Sequence, residues 1–122
     1  MKPATRAVGF AAALLSLSAV ILAAMGSHLI DMKGLQGIWN TASIIHLFNA
    51  AALMGLAALL ELRPSVFLHR AAWLVILGTC VFCGSIYLHV IYGRAMPGVT
   101  PSGGLLMMAG WLLAALGFVR KS

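Results

Sequence analysis

Four long apolar stretches, none of which contains a charged residue, constrain this chain more than any other feature of its sequence. A helix needs about 17 to 25 such residues to cross ~30 Å of hydrocarbon. Lipid cannot satisfy backbone amides, so these stretches must be helical, whereas a transmembrane barrel would show alternating strands of ~10 residues. The sequence therefore predicts four transmembrane helices, at about residues 7–30, 44–62, 71–92 and 102–119.

The composition agrees with an all-α membrane protein. Eight basic and two acidic residues are the only charges among 122 residues, and 62% of the chain is hydrophobic. A soluble domain carries about 25% charged residues to cover its surface. The connections between the apolar stretches leave no room for a soluble domain, so we expect residues 1–122 to form one integral membrane domain.

The N-terminal apolar stretch has an alternative interpretation as a cleaved signal peptide. Lys2 and Arg6 would form its charged start, and Ala24-Met25-Gly26 would be the cleavage site. The apolar run of about 24 residues is longer than the 7 to 15 residues typical of a signal sequence. We therefore favour a retained first helix.

The basic residues are distributed unequally between the two sides of the predicted membrane. Six of the eight lie near the termini or between helices 2 and 3, and the other two are Lys33 and Arg94. The larger group comprises Lys2, Arg6, Arg63, Arg70, Arg120 and Lys121. The positive-inside rule then predicts an antiparallel four-helix bundle with both termini in the cytoplasm or in a mitochondrial matrix. This pattern accounts for the net charge without a nucleic-acid partner.

Small residues recur at helical spacing in each predicted span, as expected where membrane helices approach closely. The four stripes are Ala12, Ser16, Ala19, Ala23 and Gly26; Ala51, Gly55 and Ala58; Ala71, Gly78 and Ser85; and Gly103, Gly110, Ala114 and Gly117. We expect these stripes to form the contacts of one compact bundle.

Three segments resemble the YgdD-like family of small bacterial inner-membrane proteins, also described as domain of unknown function 423. They are "MGSHL", "WNTASIIHLFNAAALMGLAALL" and "FCGSIYLHVIYGRAMPGVTPSGGLLMMAGWLLAALG". The resemblance implies four transmembrane helices and relatives in bacteria and mitochondria, but it implies no activity. In helix 2 the family usually has Tyr-Gln followed by a His, whereas this chain has Ile45-His46 and Asn49. That departure argues against a strict two-histidine ligand site.

The candidate site is a polar cluster of His28, His46, Asn49 and His89, which the predicted topology places near the outer rim. Imidazoles can bind zinc, copper or haem iron. Helical periodicity, however, sets His28 and His46 away from the small-residue stripes, and only His89 continues a packing face. We therefore favour polar packing residues over a site for a polar ligand, and we expect no bound metal or cofactor. His69 is expected to be solvated in the connection between helices 2 and 3.

Other candidate chemistry has weaker support. Cys80 and Cys83 form a Cys-x-x-Cys pair near the predicted midplane, where a thiolate is poorly solvated, so we expect buried packing thiols. Asp, Glu, Lys and Arg occur only at the ends of the predicted spans or in the connections, as Glu61 does, which argues against a pump or an ion channel. No set of side chains has the partners that catalysis requires, so we expect a protein that is not an enzyme.

These observations favour an accessory or structural subunit of a larger membrane complex, or a homo-oligomer, in the lipid bilayer. The alternative is a membrane protein that binds a cofactor, quinone, lipid or small apolar ligand near the outer rim. A small-molecule transporter is a third candidate, but the two halves of the chain show no repeat that would build a symmetric pathway.

Overall fold

The computed structural model describes residues 1–120, which form four α-helices joined by short connections. The helices are α1 (Pro3–His28), α2 (Gln36–Leu62), α3 (Val66–Tyr92) and α4 (Val99–Val119). All four are long and apolar enough to cross a membrane. This confirms the predicted all-α membrane fold. Residues 121 and 122 lie outside the described residues. Lys121 is one of the basic residues on which the topology prediction rests.

The helix ends follow from local chemistry. Pro3 occupies the first turn of α1, where its missing N–H leaves no hydrogen bond unmade. Pro64 follows α2 and prevents its continuation, and the Ser65 hydroxyl then accepts a hydrogen bond from the Leu68 amide to cap α3. α3 ends at Gly93, whose φ of 75° is in the left-handed region that favours glycine.

The helices extend beyond the predicted spans. α2 begins at Gln36 and not at residue 44, so its connection to α1 comprises only residues 29–35. The reason is that apolar stretches mark the part of a helix inside hydrocarbon, whereas polar residues can continue the helix into the interface. Gln36 and Asn40 do so here, with the Gln36 amide donating to Asn40 Oδ1 at 2.9 Å.

Helices that are consecutive in the chain pack as antiparallel neighbours. α1 lies against α2, α2 against α3, and α3 against α4, and α3 also approaches α1. Gly78 of α3 and Gly110 of α4 lie where these two helices approach closely. A Cβ atom would lie 2.6 Å from the Met107 amide nitrogen at Gly78, and 2.6 Å from Val75 Cγ2 at Gly110.

The predicted packing stripes are correct on three helices and wrong on α2. The stripes of α1, α3 and α4 supply buried residues, but Ala51, Gly55 and Ala58 of α2 are exposed. The opposite face of α2 is buried instead because it carries His46 and Asn49, whose polar groups would lack hydrogen bonds in lipid. That face comprises Trp39, Ala42, His46, Asn49, Ala50, Leu53, Leu56, Ala57 and Leu60.

Two apolar clusters fill the interior, one toward each end of the bundle. The first contains Val8, Leu53 and Val75, and the second contains Trp39 and Val90. The polar residues of α2 lie between the two clusters, so the core is apolar at both ends and polar in the middle.

Candidate functional site

The middle of the bundle contains a layer of buried polar side chains centred on α2. His46 and Asn49 are three residues apart and therefore share a face of the helix. Their side chains are only 4% and 3% exposed. Polar groups buried this far from water need hydrogen-bond partners, and the neighbouring helices provide them.

His46 links three helices through its two ring nitrogens. Nε2 lies 3.1 Å from the Ser18 hydroxyl of α1, and Nδ1 lies 2.9 Å from the Tyr87 hydroxyl of α3. The Ser18 hydroxyl also donates to the Leu15 carbonyl at 3.0 Å. One arrangement of hydrogens satisfies all three contacts: Nε2–H donates to Ser18, and Tyr87 donates to Nδ1 of a neutral imidazole.

Asn49 links α2 to α3 and α4. Its amide nitrogen donates to Thr79 Oγ1 at 2.9 Å and to the Met107 sulfur at 3.0 Å. Its carbonyl oxygen accepts from Trp111 Nε1 at 3.1 Å. Because the indole can only donate, it determines which way the amide points. Thr79 in turn donates to the Val75 carbonyl at 2.7 Å.

Aromatic rings close the layer on the side of the α1–α2 connection. The Trp39 and Tyr87 rings lie 4.8 Å apart, and the His46 and Tyr87 rings lie 5.8 Å apart. Gly26 is in contact with the Trp39 indole, which would overlap any side chain at that position. The glycine at the end of the α1 stripe therefore makes room for the ring that orients Tyr87.

The structure separates the four residues of the predicted polar cluster. His46 and Asn49 lie inside the bundle near the middle of α2, so placing His46 off the packing face is wrong. His28 is exposed at the end of α1, and His89 is half-buried near the end of α3. The prediction placed all three histidines near one rim because it began helix 2 too late. The interpretation of the cluster as polar packing residues, in preference to a ligand site, stays a prediction.

Sequence reasoning did not identify the partners of His46 and Asn49. They are Ser18, Thr79, Tyr87, Met107 and Trp111. A signal was available, because a buried imidazole and a buried amide each require several partners from other helices. The hydroxyl and indole groups inside the apolar stretches are the side chains that can supply them.

Metal ligands do not converge in this layer. Within residues 1–120, no three His, Cys, Asp or Glu side chains come together in a way that could hold a metal ion. Both nitrogens of His46 are engaged by hydroxyl groups. The layer can hold the four helices in register, and each interhelical polar contact of this kind stabilises a membrane protein by about 0.6 to 2 kcal/mol.

The two cysteines have different surroundings, although they are three residues apart. Cys83 is buried, and its thiol donates to the Ala42 carbonyl of α2 at 3.4 Å, as expected for a packing thiol. Cys80 is exposed at the membrane-facing surface of α3, so the expectation that it is buried is wrong. α1 packs mainly against α2, and this leaves the Cys80 side of α3 uncovered.

Comparisons with known proteins agree with a membrane protein. The family described as "protein of unknown function (DUF423)" matches residues 22–104. The chain is 33% identical over 105 residues to the UPF0382 inner membrane protein YgdD of Escherichia coli K12, covering 83% of this chain and 80% of that protein. It is 30% identical over 105 residues to a UPF0382 membrane protein of Staphylococcus haemolyticus, covering 83% and 85%. No solved structure matches.

Proposed function

Since the chain belongs to the DUF423 family of proteins of unknown function, which supplies no activity, we propose a role from its own interior and surfaces. The protein acts as a non-catalytic accessory subunit that associates with other membrane helices in a larger complex. Its site of action is a bacterial inner membrane, in line with the name of the Escherichia coli relative. Both termini face the cytoplasm.

The hydrogen bonding of the polar layer carries this proposal. A catalytic or ligand-binding group needs unused hydrogen-bonding capacity that faces an open space. His46 and Asn49 are the most polar side chains of the interior, and each uses its capacity on other helices of the same bundle. An interior of this kind favours a structural role, in which the protein acts through its outer surface.

The surface that we assign to a partner lies on α2. Ala51, Gly55 and Ala58 are exposed there, and a Cβ added at Gly55 would meet no heavy atom of the described residues within 4 Å. Small residues at this spacing let a second helix approach closely. The bundle itself does not use this face, so it is available to a helix of another protein.

Site-specific photocrosslinking in native membranes tests the proposal. A photoreactive residue at Ala51 or Ala58 should give a discrete adduct with one membrane protein, identified by mass spectrometry. The same residue at Leu112, which is 63% exposed on α4, should give only lipid adducts. Gly55→Leu should abolish the protein adduct without unfolding the chain, since the added side chain meets only open space.

Gly37→Leu is the matched control, because Gly37 also lies on α2 with nothing within 4 Å of an added Cβ. It should leave the adduct intact. An adduct that contains only a second copy of the chain would contradict the accessory role and would support self-association instead. Equal adducts from Ala58 and Leu112 would contradict any specific partner at this surface.

A groove between α1 and α3 favours a second candidate, the binding of a small apolar ligand such as a quinone. The groove has a volume of about 450 Å³ and is lined by Ser18, Cys80 and apolar residues of both helices. This volume is within the range of ligand pockets. Ser18 is half-buried, so its hydroxyl could donate to a ligand carbonyl in place of the Leu15 carbonyl.

The groove lies beside the middle of α1, deeper than the outer rim at which the sequence places a ligand. Organic extraction of protein purified in mild detergent, followed by mass spectrometry, tests this candidate. A quinone present in equal amount to the protein, and lost in Ser18→Val, would support it. Extraction of bulk phospholipid alone would argue against it.

A further inference from the structure

One end of the bundle concentrates basic residues. The Lys2 ammonium donates to the Glu61 carbonyl at 2.8 Å, which places the start of α1 beside the end of α2. The Arg120 guanidinium lies 5.0 Å from the centre of the Phe67 ring, which brings the end of α4 to the same place. Among residues 1–120, the basic residues at this end are Lys2, Arg6, Arg63, Arg70 and Arg120, and Glu61 is the acidic residue beside them.

A cavity of about 450 Å³ opens at this end between the start of α1 and the first turns of α3. We name it the Lys2–Arg70 cavity. Its polar lining comes from Lys2, Ser65, His69 and Arg70, and Leu60 and Val66 contribute an apolar wall. This combination of two cations with an apolar wall matches a molecule that has an anionic head and a hydrocarbon tail.

His69 has an unusual position in this cavity. The sequence predicts a solvated loop residue, but Ser65 caps α3 early and places His69 in its first turns, half-buried. Its ring centre lies 6.4 Å from that of Trp73. Nδ1 of His69 is buried and has no hydrogen-bond partner among residues 1–120. The imidazole therefore has hydrogen-bonding capacity that residues 1–120 leave unused.

Two further features of the cavity favour the binding of an anion. The Arg70 guanidinium is exposed and makes no hydrogen bond or ion pair with another described residue. The cavity also lies at the N-terminal end of α3, a helix of 27 residues, where the backbone dipole favours negative charge. Charge, dipole and an unpartnered nitrogen therefore converge on one cavity at the edge of the membrane-spanning part.

We propose that the Lys2–Arg70 cavity binds the phosphate group of an anionic phospholipid. Arg70 and Lys2 pair with the phosphate, and the His69 ring, which lines the cavity, donates to one of its oxygens. Leu60 and Val66 contact the start of an acyl chain. Basic pockets between transmembrane helices bind lipid headgroups in this way. The site is independent of the partner surface on α2.

Native mass spectrometry of the full chain in mild detergent tests the proposal, with phosphatidylglycerol as the probe and phosphatidylcholine as the zwitterionic comparison. Phosphatidylglycerol should bind in preference. Arg70→Gln should weaken its binding about fivefold, since one cation near an anionic lipid contributes about 1 kcal/mol. Arg70→Lys should retain most of the binding because it keeps the charge. Lys2→Gln should weaken binding by a similar factor.

Arg94→Gln is the matched control, because it removes one positive charge at the opposite end of the bundle and should leave the affinity unchanged. An equal loss in Arg94→Gln and Arg70→Gln would overturn the proposal by showing that only net charge matters. Inorganic phosphate separates a lipid site from a site for the free anion. Displacement of phosphatidylglycerol by inorganic phosphate, with binding of the free anion dependent on Arg70, would also overturn it.

Discussion

The Tyr87 hydroxyl of α3 lies 2.9 Å from Nδ1 of His46 on α2, and both side chains are buried between the helices. This contact joins two helices at the boundary between the polar layer and the apolar cluster around Trp39. Ser18 and Asn49 extend the same layer to α1 and α4. The four helices are thus connected at one depth by side chains, and this has measurable consequences.

Removal of the Tyr87 hydroxyl should destabilise the bundle. Tyr87→Phe leaves Nδ1 of His46 buried without a partner, so we expect the free energy of unfolding to fall by about 1 to 2 kcal/mol. Unfolding in mixed micelles of a mild detergent and dodecyl sulfate measures this free energy. Tyr92→Phe is the control, because Tyr92 is 72% exposed at the end of α3. Equal stability of the two variants would contradict the hydrogen bond.

Asn49 and Trp111 should be energetically coupled. Asn49→Leu and Trp111→Phe each remove the indole-to-amide hydrogen bond, so their effects on the free energy of unfolding should not add. We expect a coupling energy of about 0.6 to 2 kcal/mol in a double-mutant cycle. A second cycle with Asn49→Leu and Trp73→Phe should be additive, because Trp73 lies against His69 and away from Asn49.

The sequence predicts the number and the approximate extent of the helices well, because length and hydrophobicity are local properties. It also predicts that Gly78 and Gly110 lie at helix contacts, because each belongs to a stripe of small residues on its own helix. The sequence does not predict which face of α2 is packed. In a chain this rich in Ala and Gly, small-residue spacing occurs on exposed and on buried faces alike, so this spacing alone does not show whether the stripe through Gly55 packs inside the bundle or faces outward.

The candidate site is predicted only in part, for a related reason. His46 and Asn49 stand out as polar residues in apolar sequence, but their depth depends on where α2 begins, and hydropathy does not reveal that. Their partners depend on how the helices are rotated about their axes. Burial of polar groups decides that rotation, since an imidazole facing lipid would lack hydrogen bonds.

Glycine substitutions should distinguish contacts within the bundle from free surface. Gly78→Leu and Gly110→Leu force α3 and α4 apart, so each should destabilise the fold by about 1 to 3 kcal/mol or more. Gly55→Leu should leave thermal stability in detergent unchanged, because no heavy atom of the described residues lies within 4 Å of the added Cβ. A loss of stability in Gly55→Leu that matches the loss in Gly110→Leu would show that the assigned faces of α2 are reversed.

The orientation in the membrane depends on which end of the bundle faces the cytoplasm. The backbone amide of Lys2 donates to Glu61 Oε2 at 3.0 Å, so the start of α1 and the α2–α3 connection lie on one side. Only two orientations are therefore possible. Since basic loops are retained in the cytoplasm, we expect the end that contains Lys2 and Arg63 to be inside and the end that contains Gln36 to be outside.

Cysteine labelling of intact cells tests this orientation. In a variant with both native cysteines replaced by alanine, a membrane-impermeant maleimide should label Gln36→Cys. It should label Arg63→Cys only after the membrane has been permeabilised, which also serves as the control for thiol accessibility. Gln36 and Arg63 lie at opposite ends of α2, so the two labels must report opposite sides if α2 spans the bilayer. Labelling of Arg63→Cys before permeabilisation, with Gln36→Cys protected, would reverse the proposed topology and place the Lys2–Arg70 cavity in the outer leaflet.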